Sequence, residues 1–165
     1  YLNTSLAEAL RFVGTLQDDG GVGQPAGGTW AYHFRAGDFA WFWHNSTGVM
    51  KAGNAESEAV ANALVKLPEC VDVQLNAIVG FGLVTSAYRD ALAYVALTKP
   101  KVALPNHHDA WTPGIGGGAS AYENSWLEAV SKLPNPPEVD YLRDPVDYMK
   151  PRSYNINDPR WAGGC

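Results

Sequence analysis

One unit in the middle of the chain constrains the fold more than anything else. Val71–Val79 reads as an apolar strand that breaks at Gly80-Phe81-Gly82. A helix is then expected from Thr85 or Ser86, with Tyr88, Ala91, Leu92, Val95 and Ala96 on one face, until Pro100 stops it. Lys101–Leu104 follows as a short buried strand. Two strands joined by an amphipathic helix pair in parallel through a right-handed crossover, because a twisted strand feeding a right-handed helix packs back only that way. An α/β fold follows.

Upstream, Trp30–Phe34 and Phe39–Trp43 flank Ala36-Gly37-Asp38, an aromatic-rich hairpin pattern with a turn signal. An antiparallel hairpin beside a parallel unit makes the sheet mixed. Between them lies a helix capped by Asn54, with Glu56 and Glu58 in its first turn and Val60, Ala63, Leu64 and Leu67 as the expected buried stripe, ended by Pro68. Downstream, Ser120 and Glu123 have capping-box spacing and open a helix carrying Trp126, Ala129, Val130 and Leu133. Residues 134–165 turn to Pro, Asp, Asn and Tyr, an irregular tail with one short strand near Val139–Leu142. A first helix is expected near the start, with Thr4 or Ser5 as cap and Leu6, Ala9, Leu10 and Val13 on one face. No internal boundary divides the 165 residues, so residues 1–165 read as a single domain.

The net charge of −5 comes without any basic cluster, and this excludes nucleic acid and anionic membrane surfaces as partners. No apolar run approaches the roughly 20 residues of a membrane span. The chain begins with Tyr1, which reads as a cut precursor or a start inside a gene. Cys70 and Cys165 are candidates for one disulfide, and two free thiols suit the count equally. Asn3-Thr4-Ser5 and Asn45-Ser46-Thr47 are glycosylation sequons. Together these features point to a secreted, extracellular protein.

Chemistry concentrates in Leu104-Pro105-Asn106-His107-His108-Asp109-Ala110-Trp111, just beyond a strand's C-terminal end, where ligand sites gather in open α/β sheets. Imidazole and carboxylate suit zinc or another divalent metal, although three adjacent residues cannot all face one ion. A polar loop with backbone hydrogen bonds is the plainer alternative. His44-Asn45-Ser46-Thr47-Gly48 ends the hairpin and either lines the same pocket or forms a turn, and a glycan on Asn45 excludes a pocket there. Trp41 and Trp43 lie two apart on one face, suited to stacking on a sugar or to packing under a helix. There is no nucleophile elbow and no P-loop.

Taken in order, the hairpin, the His44 turn, the crossover and the Pro105-Asn106-His107-His108-Asp109 loop resemble the C-terminal half of a metallo-β-lactamase-fold hydrolase, nearest the ascorbate-lactonase-like branch. The resemblance covers about Gly28–Leu133. It implies half of an αββα sandwich with a mixed sheet. Pro105-Asn106-His107 matches the Pro-x-His turn that supplies a metal ligand, so His107 inherits that role. His108 and Asp109 are then the residues that orient substrate or shuttle protons, with His44, Ser46 and Trp111 lining the substrate pocket. The His-x-His-x-Asp-His motif is absent, and no carboxylate stands at His44–Gly48, which leaves a one-metal or altered site. One His cannot hold catalytic zinc, which needs about three protein ligands. The implied protein is therefore a metal-dependent hydrolase subunit for a small-molecule lactone, amide or ester. It would act with the N-terminal half of the same precursor as a second chain. A secreted aromatic-surface binding protein and a noncatalytic structural subunit are the alternatives.

Overall fold

The structure is a computed structural model that describes residues 31–44, 50–67, 70–78, 87–108, 119–143, 147 and 149–162. These belong to one compact unit beginning at Ala31. The expected first helix, Trp30, the Gly-rich loops and both sequons lie outside the described residues.

Five strands form a mixed sheet in sequence order: β1 (Ala31–Ala36), β2 (Phe39–His44), β3 (Val73–Ala77), β4 (Val102–Asn106) and β5 (Glu138–Val139). β1 and β2 are an antiparallel hairpin paired from Ala31↔His44 to Ala36↔Phe39, with Gly37 at φ +62° in the turn, where a side chain would be strained. β2, β3, β4 and β5 run parallel. The crossovers are α1 (Ala55–Leu64), α2 (Arg89–Thr98) and α3 (Ser120–Ser131). Strands that march one way through right-handed crossovers put all three helices on the same face.

Two buried clusters fill the space under those helices. Phe42, Leu64, Val71 and Tyr94 join β2 to α1 and α2. Ile78, Tyr88, Ala91, Val95, Ala119, Trp126, Val130 and Tyr141 join α2 to α3. Asp90 binds this layer to the chain before α1, since its Oδ1 accepts from the Met50 backbone N–H at 2.8 Å.

Local expectations meet tertiary packing with mixed results. Asn54 caps α1 by accepting from Ser57 N, as its spacing predicts. The buried side of α1 is nevertheless Ser57 and Leu64, while Val60 and Ala63 face outward. Leu64 and Leu67 of the expected stripe do pack into the core, and the Ser57 hydroxyl, accepting from Lys51 N, takes the place expected for Val60 and Ala63. α2 starts at Arg89 because Ala87 sits at φ +49°, outside helical space, and its Ala96 is exposed. The Ser120/Glu123 capping box does not form: Ala119 is the cap, and Glu123 Oε1 accepts from Arg143 Nε at 2.9 Å instead.

The opposite sheet face carries none of the three α-helices, only the short 3-10 turn Pro159–Trp161. Phe39, Val73 and Val102 pack there against Trp161, whose carbonyl accepts from Lys101 Nζ at 2.8 Å. The tail is thus part of the core over 150–162 rather than a loose extension. Trp41 and Trp43 lie on this face too: Trp41 packs against the Trp161 cluster and Trp43 is exposed. They stack on Phe34 (5.0 Å between ring centres) and Tyr32 (5.3 Å) across the hairpin.

Candidate functional site

Parallel pairing in register brings three strand ends to one edge. His44 on β2 sits opposite Asn76 on β3, and Asn76 sits opposite Pro105 on β4. Ala77 pairs with Asn106, after which the chain reaches His107 and His108. His44, Gln74 and Asn76 alternate onto the helix side, and all three are buried to within 1% of complete.

His44 is held by neutral partners. Its ring stacks on Tyr94 of α2 with centres 4.3 Å apart, and its Nε2 lies 3.3 Å from Gln74 Nε2. An amide nitrogen can only donate, so His44 Nε2 accepts and the ring proton sits on Nδ1. Gln74 Oε1 accepts in turn from the Thr98 hydroxyl. Burial lowers the His44 pKa to about 4, so the ring is neutral at physiological pH.

Beyond these partners the network stops. His44 Nδ1 and both amide atoms of Asn76 are buried without a hydrogen-bond partner, as is Asn106 Oδ1. Each unpaired buried polar group costs roughly 1–3 kcal/mol, so a fully orphaned carboxamide at this edge is a large local sacrifice of stability.

Beside it, His107 is half-buried at φ +54°, a left-handed conformation that non-glycine residues adopt at a cost and that clusters at functional sites. His108 is fully buried. Its Nε2 donates to the Leu142 carbonyl at 2.9 Å and its ring leans on Tyr141, centres 4.8 Å apart. That nitrogen is therefore spent on the backbone.

Of the sequence candidates, His44, His107 and His108 come to the same sheet edge, with β3 between the first and the other two. Ser46, Asp109, Trp111, Asn3, Asn45 and Cys165 lie outside the described residues. Cys70 is half-buried, and no described cysteine is free. Asn76 escaped the sequence reading because a lone Asn in an apolar run carries no motif. The alternation Val73-Gln74-Leu75-Asn76 was the available signal, placing two amides on one strand face.

Among the described residues no group of three His, Cys, Asp or Glu side chains could hold a metal ion. These residues alone do not fit a zinc centre. A separate cleft of about 310 Å³ opens on the face away from the three α-helices, between Phe39, Trp41, Leu75, Leu104, Arg152 and Tyr154. Arg152 is paired there with Asp140 at 3.1 Å. The Tyr154 hydroxyl is pushed up to about 12, by burial first and then by Asp140. No helix among the described residues is long and apolar enough to cross a membrane. No family model, curated protein or solved structure matches the chain.

Proposed function

We propose that this chain is the C-terminal half of a secreted, metal-dependent hydrolase of the metallo-β-lactamase fold, acting on a small-molecule lactone, amide or ester. The observation that carries this reading is the one-sided sheet. The three α-helices cover one face, while on the other the segment ending in Trp161 leaves Tyr32, Phe34, Trp41, Trp43 and Leu75 only partly covered. A stacked, partly covered aromatic face of this kind supports the reading that a second sheet packs on it.

The second sheet would be the N-terminal half of the same precursor, closing an αββα sandwich. His107 would contribute one metal ligand from the shared edge, with the remaining ligands on the partner. This chain's described residues do not hold zinc by themselves, and their part is to shape and polarise the edge. Asp109 and His108 belong to the same reading as residues near the substrate. Ser46 and Trp111 belong to it as pocket residues, and a Cys70–Cys165 bridge as a clasp on the tail.

Native mass spectrometry without chelator or reductant tests the assembly directly. A second chain plus bound metal is the expected result, and His107→Ala should lower metal content and abolish hydrolysis in the assembled protein. A metal-free single chain, or full activity in that variant, overturns the reading.

The stacked row of Tyr32, Phe34, Trp41 and Trp43 favours a second reading, a secreted protein that binds flat ligands or carbohydrate on its aromatic face. It requires binding that survives chelation and is lost on Trp41→Ala.

A further inference from the structure

We propose that His44 Nδ1–H and the Asn76 carboxamide form a receptor for a neutral carbonyl group, of the lactone or amide kind, at the C-terminal edge of the parallel strands. This deepens the reading above: it rests on that edge being where substrate binds, and it does not require a metal.

Three observations carry it. The two residues are register partners on neighbouring strands, so their side chains stand together on one side of the sheet. His44 is 1% exposed and Asn76 is wholly buried, yet His44 Nδ1, Asn76 Nδ2 and Asn76 Oδ1 have no hydrogen-bond partner. Neighbouring donors and acceptors that do not satisfy one another are set for a third group.

The chemistry of that group follows from what the pair offers. The Gln74 amide fixes the proton on His44 Nδ1, so both residues present N–H donors, and Asn76 adds one acceptor. A carbonyl oxygen takes the donors, and an adjacent amide N–H or ordered water takes the Asn76 oxygen. Among the described residues, the groups that contact His44 are uncharged: Gln74, Tyr94 and Phe42, with Thr98 behind. A carboxylate buried here would lack a counter-charge, so the site favours a neutral ligand over an anion.

The test is equilibrium binding to the intact protein, with γ-butyrolactone as the neutral probe and butyrate as the charged one of similar size. The Asn76 side-chain NH₂ and the His44 ring resonances are followed by NMR. Saturable shifts of both with γ-butyrolactone, at least tenfold weaker binding of butyrate, and at least tenfold weaker lactone binding by Asn76→Leu are expected. The same variant should melt at a higher temperature than the wild type, because an unpaired buried amide is gone.

Resonances that stay unmoved throughout the titration, equal binding of the two probes, or a variant that binds the lactone like the wild type overturns the proposal. If Asn76→Leu does not fold, the wild-type titrations decide alone. A protein assembled with its partner chain and metal that binds the lactone through these residues without hydrolysing it fails the hydrolase reading and retains this one. A chain that hydrolyses lactones while these resonances stay still does the reverse.

Discussion

Acidification should unfold this protein through His44. Burial holds the ring near pKa 4 in the folded chain, whereas an exposed histidine titrates near 6.5. Above pH 6.5 the ring is neutral in both states and contributes nothing to the pH dependence. Between 6.5 and about 4 the unfolded chain binds a proton that the folded chain refuses, so stability falls as pH falls. Each pH unit of separation is worth about 1.4 kcal/mol, so the loss is about 2 kcal/mol at pH 5 and about 3 kcal/mol once pH 4 is passed. That is a large share of the roughly 5–15 kcal/mol holding a domain of this kind together. The assay is urea unfolding of the wild type and of His44→Phe between pH 7.5 and 4.5. Phe fills the same stack on Tyr94 and cannot titrate. Carboxylates contribute alike to both curves and cancel in the difference. The variant costs some stability at neutral pH through the lost Gln74 contact, and then gains on the wild type by about 2 kcal/mol by pH 5. Two curves that run parallel from pH 7.5 to 5 would show that His44 is not held neutral by burial, and that its Nε2 is not fixed as an acceptor.

Three further outcomes follow from the packing. Trp126 is wholly buried and meets Tyr88 edge-on at 5.2 Å, so Trp126→Ala should cost about 3–5 kcal/mol in urea unfolding; a loss under 1 kcal/mol would mean that the α2–α3 cluster is not the core. Asp72 accepts from Ala40 N and from Lys101 Nζ, both at 2.8 Å, and thus joins β2, β3 and β4 at their start. Asp72→Ala should destabilise by about 3 kcal/mol, and an unchanged midpoint would show those contacts to be dispensable. Asn54→Ala removes the α1 cap and should cost about 1 kcal/mol, with hydrogen exchange in the first turn of α1 rising first.

Much of the fold was legible because local chemistry and tertiary demand coincide. Asn54 caps in any context that starts a helix there, and Gly37-Asp38 turns any hairpin flanked by alternating aromatics. The 71–104 unit announces its parallel pair because two apolar runs around a helix have few other ways to bury themselves. The stripe of α1 holds at Leu64 and Leu67 and departs at Val60 and Ala63, which look equally burial-prone along the sequence. The Ser57 hydroxyl, accepting from Lys51 N, takes their place. The capping box failed for a similar reason: Glu123 answers to Arg143, twenty residues away.

The histidines show where sequence ends and structure begins. Spacing alone placed His44 and His107 at strand ends, because periodicity and breakers are properties of neighbouring residues. It could not say that His44 would be stacked, neutral and left with an N–H that has no acceptor, nor that Asn76 would lie beside it. Those properties arise from register between strands far apart in the chain, and register is set when a sheet face is buried against the elements around it. The sequence by itself determined the elements, their order and the parallel core. Tertiary packing decided which polar groups were sealed at the strand ends, because burial and pairing depend on every element around them at once.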